Sequence, residues 1–458
     1  MRKAVLAAVV AAAALAGVVA AVVLSGGGGD KAAPPASTGP TAPGTTAATS
    51  VATTAPTMTG TTATTATTPS TGGLGASTAP VDTTHIDLPP PPTRHSRRTR
   101  TFLVGTVDDA LAQDGRQFAQ AQADLSRDAG FDAAVVSATW HRGQRRPPAR
   151  LVHTLRNVGT AAGRARMKLA VVVWHGLGED TPRGPAERAD FAAYAAGVVK
   201  ALPKLRFVIV GNEPNLSTFW RPQFGGGGRD VAARAYADLL ARSYDAIKAE
   251  RPSVRVLGGA LSPRGADRPH GSRPTHSPTA FIRDLGAAYR ASHRHRPLMD
   301  GFAFHPYMEA SRFSPTGRHP ENTTITIADY PKLVALLGEA FDGTAQPGQR
   351  LPIYYTEFGV QTRVPSQKRR FYVDLDSPAR RDAVPFPVQG AYYRRALELA
   401  YCQPTVRGLF VFHTFDEPGL GGWQSGLYFA DRTPKPSLPA FKRSVADLRN
   451  GGFPRCHR

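Results

Sequence analysis

Residues 207–214 read Phe-Val-Ile-Val-Gly-Asn-Glu-Pro, a short apolar run followed at once by polar residues and a proline. An apolar run of this length is typical of a strand that is buried on both faces, as in a parallel sheet. Seven further segments repeat the pattern, and stretches with apolar residues at helical spacing separate them. The predicted strands cover 102–105, 133–137, 169–174, 207–211, 254–258, 301–304, 352–356 and 408–412.

Eight strands that alternate with eight helices in about 350 residues predict an α/β fold, a (β/α)8 TIM barrel over residues 101–458. A final helix near 438–448 follows the last strand. A doubly wound open sheet is the alternative architecture. It lacks support because the glycine-rich phosphate turn after the first strand is missing, where Gly105 stands alone.

The first 24 residues have the chemistry of an export segment. Arg2 and Lys3 precede an uncharged apolar run over 4–24, which as a helix is long enough to cross a bilayer. Two interpretations stay open: an uncleaved signal anchor, and a signal peptide cleaved after Ala-Leu-Ala at 14–16. Both export the rest of the chain. We therefore expect a bacterial protein that is secreted or held at the cell surface by residues 4–24, its only membrane contact.

Residues 25–100 form a low-complexity segment rich in Thr, Ala and Pro. In 31–85, 19 of 55 residues are Thr, and only Lys31 and Asp82 are charged. Such a composition buries too little apolar surface to offset chain entropy, so we predict a disordered stalk. The expected domains are thus an export segment (1–24), a linker (25–100) and one barrel (101–458).

The chain of 458 residues carries 56 Lys and Arg against 35 Asp and Glu, a net charge of +21. This charge raises the question of nucleic-acid binding, but the basic residues do not alternate with stacking aromatics, and we predict no nucleic-acid partner. Part of the surplus lies in loops that follow predicted strands. These loops (141–150, 262–276, 309–323 and 361–382) hold 15 basic and 6 acidic residues. Such a positive rim would attract an acidic polymer, whereas a general bias toward Arg is the alternative explanation.

Two glutamates mark the ends of opposite strands. In a barrel of this type the functional residues follow the carboxyl ends of the strands. Glu213 follows strand four, and Glu357 ends strand seven, nearly opposite in the ring. Two facing carboxyls, one protonated and one ionised, are the minimum requirement for cleavage of a glycosidic bond. The alternative is that both glutamates cap helices or pair with arginines.

The motif Asn-Glu-Pro at 212–214, combined with Glu357, resembles the retaining glycoside hydrolases of clan A. The longer string Asn-Glu-Pro-Asn-Leu at 212–216, followed by Phe-Trp at 219–220, is similar to family 39. His-Pro-Tyr at 305–307 resembles the clan's motif at strand six. The resemblance implies a barrel enzyme that cleaves a poly- or oligosaccharide by double displacement without a cofactor.

The resemblance also implies roles for single residues. Glu213 matches the acid/base, and Glu357 matches the nucleophile. Asn212 matches the residue that binds the sugar 2-hydroxyl, Tyr307 matches the tyrosine that keeps the nucleophile ionised, and His305 would line the −1 subsite. The charge of Glu357 and an apolar surround should raise the pKa of Glu213.

Further candidates for sugar binding are rings at strand ends, since the C–H faces of sugars pack on aromatic side chains. They are Trp174, His175, Trp220 and Trp423. Packing beneath a long loop is the alternative for each tryptophan. The spacing of His and Cys matches no metal motif, so we predict no metal site.

Cys402 and Cys456 are the two cysteines of the chain. In an oxidising compartment they could form one disulfide, and two free thiols are the alternative. We expect a monomer. Two other functions stay open: a transglycosylase that remodels cell-wall glycan through the same intermediate, and an inactive barrel that only binds carbohydrate.

Overall fold

A computed structural model describes residues 102–113, 115–378, 380–451 and 453. In this part of the chain eight parallel strands close a barrel in sequential order, with the last strand paired to the first. The strands are β1 (Leu103–Val107), β2 (Ala133–Thr139), β3 (Lys168–Trp174), β4 (Phe207–Val210), β5 (Arg255–Leu261), β6 (Gly301–Phe304), β7 (Ile353–Phe358) and β8 (Val406–Phe412). The predicted TIM barrel is confirmed.

An α-helix follows each strand and packs on the outside of the barrel. The helices are α1 (Arg116–Ala129), α2 (Ala149–Arg164), α3 (Pro185–Ala201), α4 (Ala232–Glu250), α5 (Pro278–Ala291), α6 (Tyr330–Phe341), α7 (Phe386–Cys402) and α8 (Leu438–Arg449). The loops that run from strand to helix therefore gather at one end of the barrel, where the functional residues are expected.

The apolar run of β4 shows why the strands read as unbroken hydrophobic segments. Phe207 and Ile209 point into a core inside the barrel, while Val208 and Val210 belong to the core between strands and helices. Both faces of the strand are buried, so no polar alternation arises.

Gly105 of β1 makes room inside this barrel. A Cβ atom at Gly105 would lie 2.2 Å from the ring of Phe410, a contact that no packed side chain tolerates. This glycine lies within the first strand and serves packing, since the large ring of Phe410 fills the space.

Four strands (β1, β2, β5 and β7) run further than predicted toward the site, and β5 and β7 bear directly on it. β5 continues to Leu261 although Gly258 and Gly259 suggest a turn, because the strand contains a register shift between Gly259 and Leu261. β7 continues to Phe358 with its own register shift. Glu357 therefore lies within a strand, whose pleat fixes its direction.

Several expectations fall on residues outside the described ranges: the export segment 1–24, the stalk 25–100 and Cys456. Cys402 ends α7, and its pairing with Cys456 stays a prediction. Over the described ranges, no helix is both long and apolar enough to span a membrane.

Candidate active site

Glu213 and Glu357 meet at a single histidine nitrogen. Nδ1 of His305 lies 3.0 Å from Oε1 of Glu213 and 3.6 Å from Oε2 of Glu357. The three residues come from the ends of β4, β6 and β7, so the barrel brings together residues that are far apart in the sequence. The predicted strand-end glutamates therefore face one cleft.

Glu213 is held in an unusual backbone conformation. Its φ is 38°, in the left-handed region that residues with a Cβ seldom adopt, and its N–H donates to the Ala260 carbonyl at 2.9 Å. Strain of this kind persists only where surrounding contacts enforce it, and it is concentrated at functional sites. Here the hydrogen bond to β5 fixes the turn that directs the carboxyl into the cleft.

The Glu213 carboxyl is enclosed. The residue is 3% exposed, and Oε2 has no hydrogen-bond partner among the described residues. Burial raises the pKa of Glu213 to about 8, and the positive charge of Arg264 opposes this rise. We expected the charge of Glu357 to share in this effect, but desolvation is the main cause. Glu213 is therefore protonated at neutral pH.

Glu357 lies in a more open and more polar setting. Its side chain is 17% exposed, and the Tyr307 hydroxyl donates to Oε2 at 3.0 Å. Burial raises the pKa of Glu357, the charge of His305 lowers it, that of Glu213 raises it, and the Tyr307 hydrogen bond lowers it again. Compared with Glu213, more groups around Glu357 favour the ionised carboxylate.

His305 and Tyr307 belong to one short segment after β6. Burial lowers the pKa of His305, and the negative charge of Glu357 opposes this fall. The Tyr307 ring packs on Trp423, with 5.2 Å between ring centroids, and also contacts Phe412. These rings form a small cluster apart from the main core. The cluster fixes the position of the Tyr307 hydroxyl, which donates a hydrogen bond to Glu357.

Asn212 and Trp174 are the polar and aromatic candidates that are not fully buried. Asn212 is half-buried, and its side chain makes no hydrogen bond to any described residue. Trp174 ends β3, and its Nε1 is enclosed without a partner among those residues. An indole N–H in this state is suited to a ligand hydroxyl. The proposed roles of both residues in sugar binding stay predictions.

His175 and Trp220 lie in the core instead. Trp220 is 1% exposed and packs on Tyr236 and on His175, with ring centroids 5.8 and 5.4 Å apart. Burial lowers the pKa of His175 to about 4, which keeps its ring neutral. In this structure neither residue offers an open face to a sugar.

His413 at the end of β8 is a functional candidate whose charge the sequence did not reveal. Its Nδ1 lies 2.7 Å from the Val107 carbonyl and its Nε2 lies 3.3 Å from Oε1 of Glu417. Burial alone would lower the pKa of His413, but the Glu417 hydrogen bond and the charge of Asp108 outweigh it and raise the pKa to about 9. The charged imidazole also favours ionisation of Glu357.

Asn215 is a second residue that sequence reasoning left without a role. It is fully buried, donates from Nδ2 to the Ser262 and His276 carbonyls, and accepts the Ser262 N–H at 3.0 Å. Asn215 thus ties the loop after β4 to the loop after β5. Its place in the motif at 212–216 was the available signal.

The described residues contain no group of three or more His, Cys, Asp or Glu side chains that could hold a metal ion.

No protein-family model and no curated protein sequence matches this chain. Solved structures do. A family 39 glycoside hydrolase from the gut symbiont Bacteroides cellulosilyticus gives a TM-score of 0.54 at 19% identity, with 77% of this chain covered. The chain spans 64% of the length of that protein.

A GH5_18 protein from Streptomyces cattleya, solved in complex with Manβ1-4GlcNAc, gives a TM-score of 0.50 at 17% identity. The match covers 76% of this chain and 81% of that one. At these identities the likeness is one of fold, and it agrees with the barrel architecture described above.

Proposed function

We propose that the protein is an O-glycosyl hydrolase that cleaves a poly- or oligosaccharide with retention of configuration. One observation carries the proposal: two glutamates with different surroundings approach the same nitrogen of His305. No cofactor is needed for this chemistry.

The spacing of the two carboxyls supports a retaining reaction. Oε1 of Glu213 and Oε2 of Glu357 lie 3.0 and 3.6 Å from Nδ1 of His305, so the distance between these two oxygens is at most the sum of the two contacts. Retaining enzymes hold their carboxyls about 5–5.5 Å apart, and inverting enzymes about 6.5–9.5 Å apart to leave room for a water molecule. The shared nitrogen favours the close arrangement.

The surroundings of the two glutamates assign their roles. Glu213 carries the proton because it is buried. Its Oε1 contacts His305, whereas its Oε2 has no hydrogen-bond partner among the described residues. Glu357 is the nucleophile because Tyr307 donates to it and the charge of His413 favours its ionised form. One fold thus holds an acid and a base of the same residue type side by side.

The reaction then proceeds in two displacements. A carboxylate oxygen of Glu357 attacks the anomeric carbon, the bond to the leaving oxygen breaks, and Glu213 donates its proton to that oxygen. Glu213 next takes a proton from water as the water oxygen attacks the anomeric carbon and releases Glu357. The Tyr307 hydroxyl stays on Glu357 throughout and orients it.

The substrate is proposed to be an acidic glycan, but part of the basic rim is already neutralised. Arg142 lies 3.4 Å from Glu187, Arg145 lies 3.4 Å from Asp190, and Lys368 lies 2.8 Å from Asp431. Exposed pairs of this kind leave little charge free for a ligand. We propose that selectivity depends on arginines of the rim outside these three pairs.

We also propose that the protein acts as a monomer outside the cytoplasm, secreted or anchored by residues 4–24. This placement is supported by the basic pair Arg2 and Lys3 before the apolar run.

A glycan panel with product analysis by NMR tests the proposed reaction. The panel includes neutral and uronate-containing polysaccharides, and Manβ1-4GlcNAc because the Streptomyces protein was solved with it. We expect the first product to carry the anomeric configuration of the substrate. Inverted product would contradict the assigned role of Glu357, and transfer to an added sugar acceptor would identify a transglycosylase.

A further inference from the structure

We propose that Arg264 binds a carboxylate on the leaving-group side of the scissile bond, which makes the protein selective for glycans with a uronic acid at that position. This inference rests on the proposed function and adds a residue that determines specificity.

Arg264 lies beside the acid/base because β4 and β5 are joined at their ends. The Glu213 N–H donates to the carbonyl of Ala260 in β5, and Asn215 exchanges hydrogen bonds with Ser262. Arg264 follows Ser262 by two residues, so it stands at the edge where Glu213 enters the cleft. The acid/base protonates the leaving oxygen, and a group beside it faces the leaving sugar.

The backbone at Arg264 is fixed on both sides. The Pro263 carbonyl accepts the Ile325 N–H at 3.0 Å, and the next residue, Gly265, runs against the backbone of His276. A Cβ atom at Gly265 would lie 1.9 Å from the His276 oxygen, so only glycine allows this approach. The backbone that carries the Arg264 side chain is therefore held in place beside Glu213.

The guanidinium of Arg264 is half-buried, and it makes neither a hydrogen bond nor an ion pair with any described residue. Its charge acts on Glu213 and on Glu309. Glu309, however, already contacts Nε2 of His319, and Nδ1 of His319 lies 2.9 Å from Asp329. Glu309 thus already has another partner.

A half-buried arginine suits a carboxylate better than a lysine would. Burial lowers the pKa of Arg264, but a guanidinium remains charged at any pH the protein meets. Its planar donors match the two oxygens of a carboxylate, and partial exclusion of water strengthens the contact. Protonated Glu213 adds no opposing charge when the substrate arrives.

Matched aryl glycosides test this inference. A panel of 4-nitrophenyl glycosides first finds a sugar that the protein releases, and Glu357→Gln serves as the inactive control. The same sugar is then joined to phenols that carry a para carboxylate or a para carboxamide. The two substrates differ in charge on the leaving side alone.

The ratio of kcat/KM for the carboxylate over the carboxamide substrate is compared among wild type, Arg264→Met, Arg264→Lys and Arg268→Met. Arg268 lies on the same loop and is exposed, so it controls for loss of general positive charge. We expect Arg264→Met to lower the ratio about tenfold or more, Arg264→Lys to restore part of it, and Arg268→Met to leave it unchanged.

Equal use of both substrates by wild type and Arg264→Met would overturn the role of Arg264 and leave the glycosidase function standing. Release of no sugar from the entire panel, with wild type and Glu357→Gln indistinguishable, would overturn the glycosidase function and this inference with it.

Discussion

Glu213 and Glu357 carry the same functional group on two sides of one histidine, yet their surroundings differ in nearly every respect. Glu213 is enclosed, has a left-handed backbone, and leaves one carboxyl oxygen without a partner among the described residues. Glu357 lies within a regular strand, is partly open, and accepts a hydroxyl hydrogen bond. The contrast supports the proposed division of roles, with Glu213 as the acid and Glu357 as the nucleophile.

The cause of the difference is burial first and charge second. Desolvation favours the neutral carboxyl at Glu213, where Arg264 alone opposes it. At Glu357 desolvation acts in the same direction, but the charges of His305 and His413 and the Tyr307 hydroxyl act against it. More groups therefore favour the ionised carboxylate at Glu357 than at Glu213.

The largest expected effect on activity comes from removal of the proposed nucleophile, Glu357. We expect Glu357→Gln to reduce kcat/KM by about 10⁴-fold or more, since an amide cannot form the glycosyl ester. Glu339→Gln on the outer surface of α6 is the matched control and should keep full activity. Reducing-sugar release measures both, and substantial activity in Glu357→Gln would refute the assignment.

Removal of the acid should have a smaller and recoverable effect. Glu213→Ala is expected to slow hydrolysis by about 10²- to 10⁴-fold on natural linkages, because the leaving oxygen loses its proton donor. Dinitrophenyl glycosides need no such proton, and added azide should restore their turnover and give a glycosyl azide. Mass spectrometry of the products distinguishes this result from simple misfolding, which azide cannot reverse.

Tyr307→Phe removes the hydroxyl hydrogen bond to Glu357 and so makes the surroundings of Glu357 more like those of Glu213. The Tyr307 hydrogen bond lowers the pKa of Glu357, so its loss raises that pKa. The acidic limb of the rate profile should move to higher pH, and kcat should fall about 10- to 100-fold. Tyr392→Phe, on the outside of α7, should change neither. A lower kcat with an unmoved acidic limb would assign Tyr307 to packing alone.

The sequence predicts the eight strands and the two glutamates because both depend on local patterns. An apolar run indicates a strand that is buried on both faces, and a polar residue directly after it indicates the end of the barrel at which the strands terminate. The side chains that surround each glutamate depend on the paths of long loops instead. Trp220 follows β4 as closely as expected, but the loop folds it into the core beside His175.

The position of Arg264 also could not be predicted from the sequence. In the sequence it is one of several arginines in the loop at 262–276. Its place beside Glu213 depends on the Asn215 hydrogen bonds and on the close approach of Gly265 to His276, which are long-range contacts. The pKa of Glu213 likewise follows from tertiary burial, which no short motif encodes.

The smallest expected effect is the fall of kcat/KM at basic pH in the unmodified protein. Burial raises the pKa of Glu213 to about 8, so the required proton is present below that pH and is lost above it. We expect kcat/KM to fall about tenfold for each pH unit above this point. The groups that face Glu213 are Arg264, His305, Tyr307 and Glu357, and the arginine lowers the pKa. Arg264→Met should therefore move the limb to higher pH. The limb should vanish in Glu213→Ala assayed with azide and dinitrophenyl glycosides, and if it persisted there, another group would carry the proton.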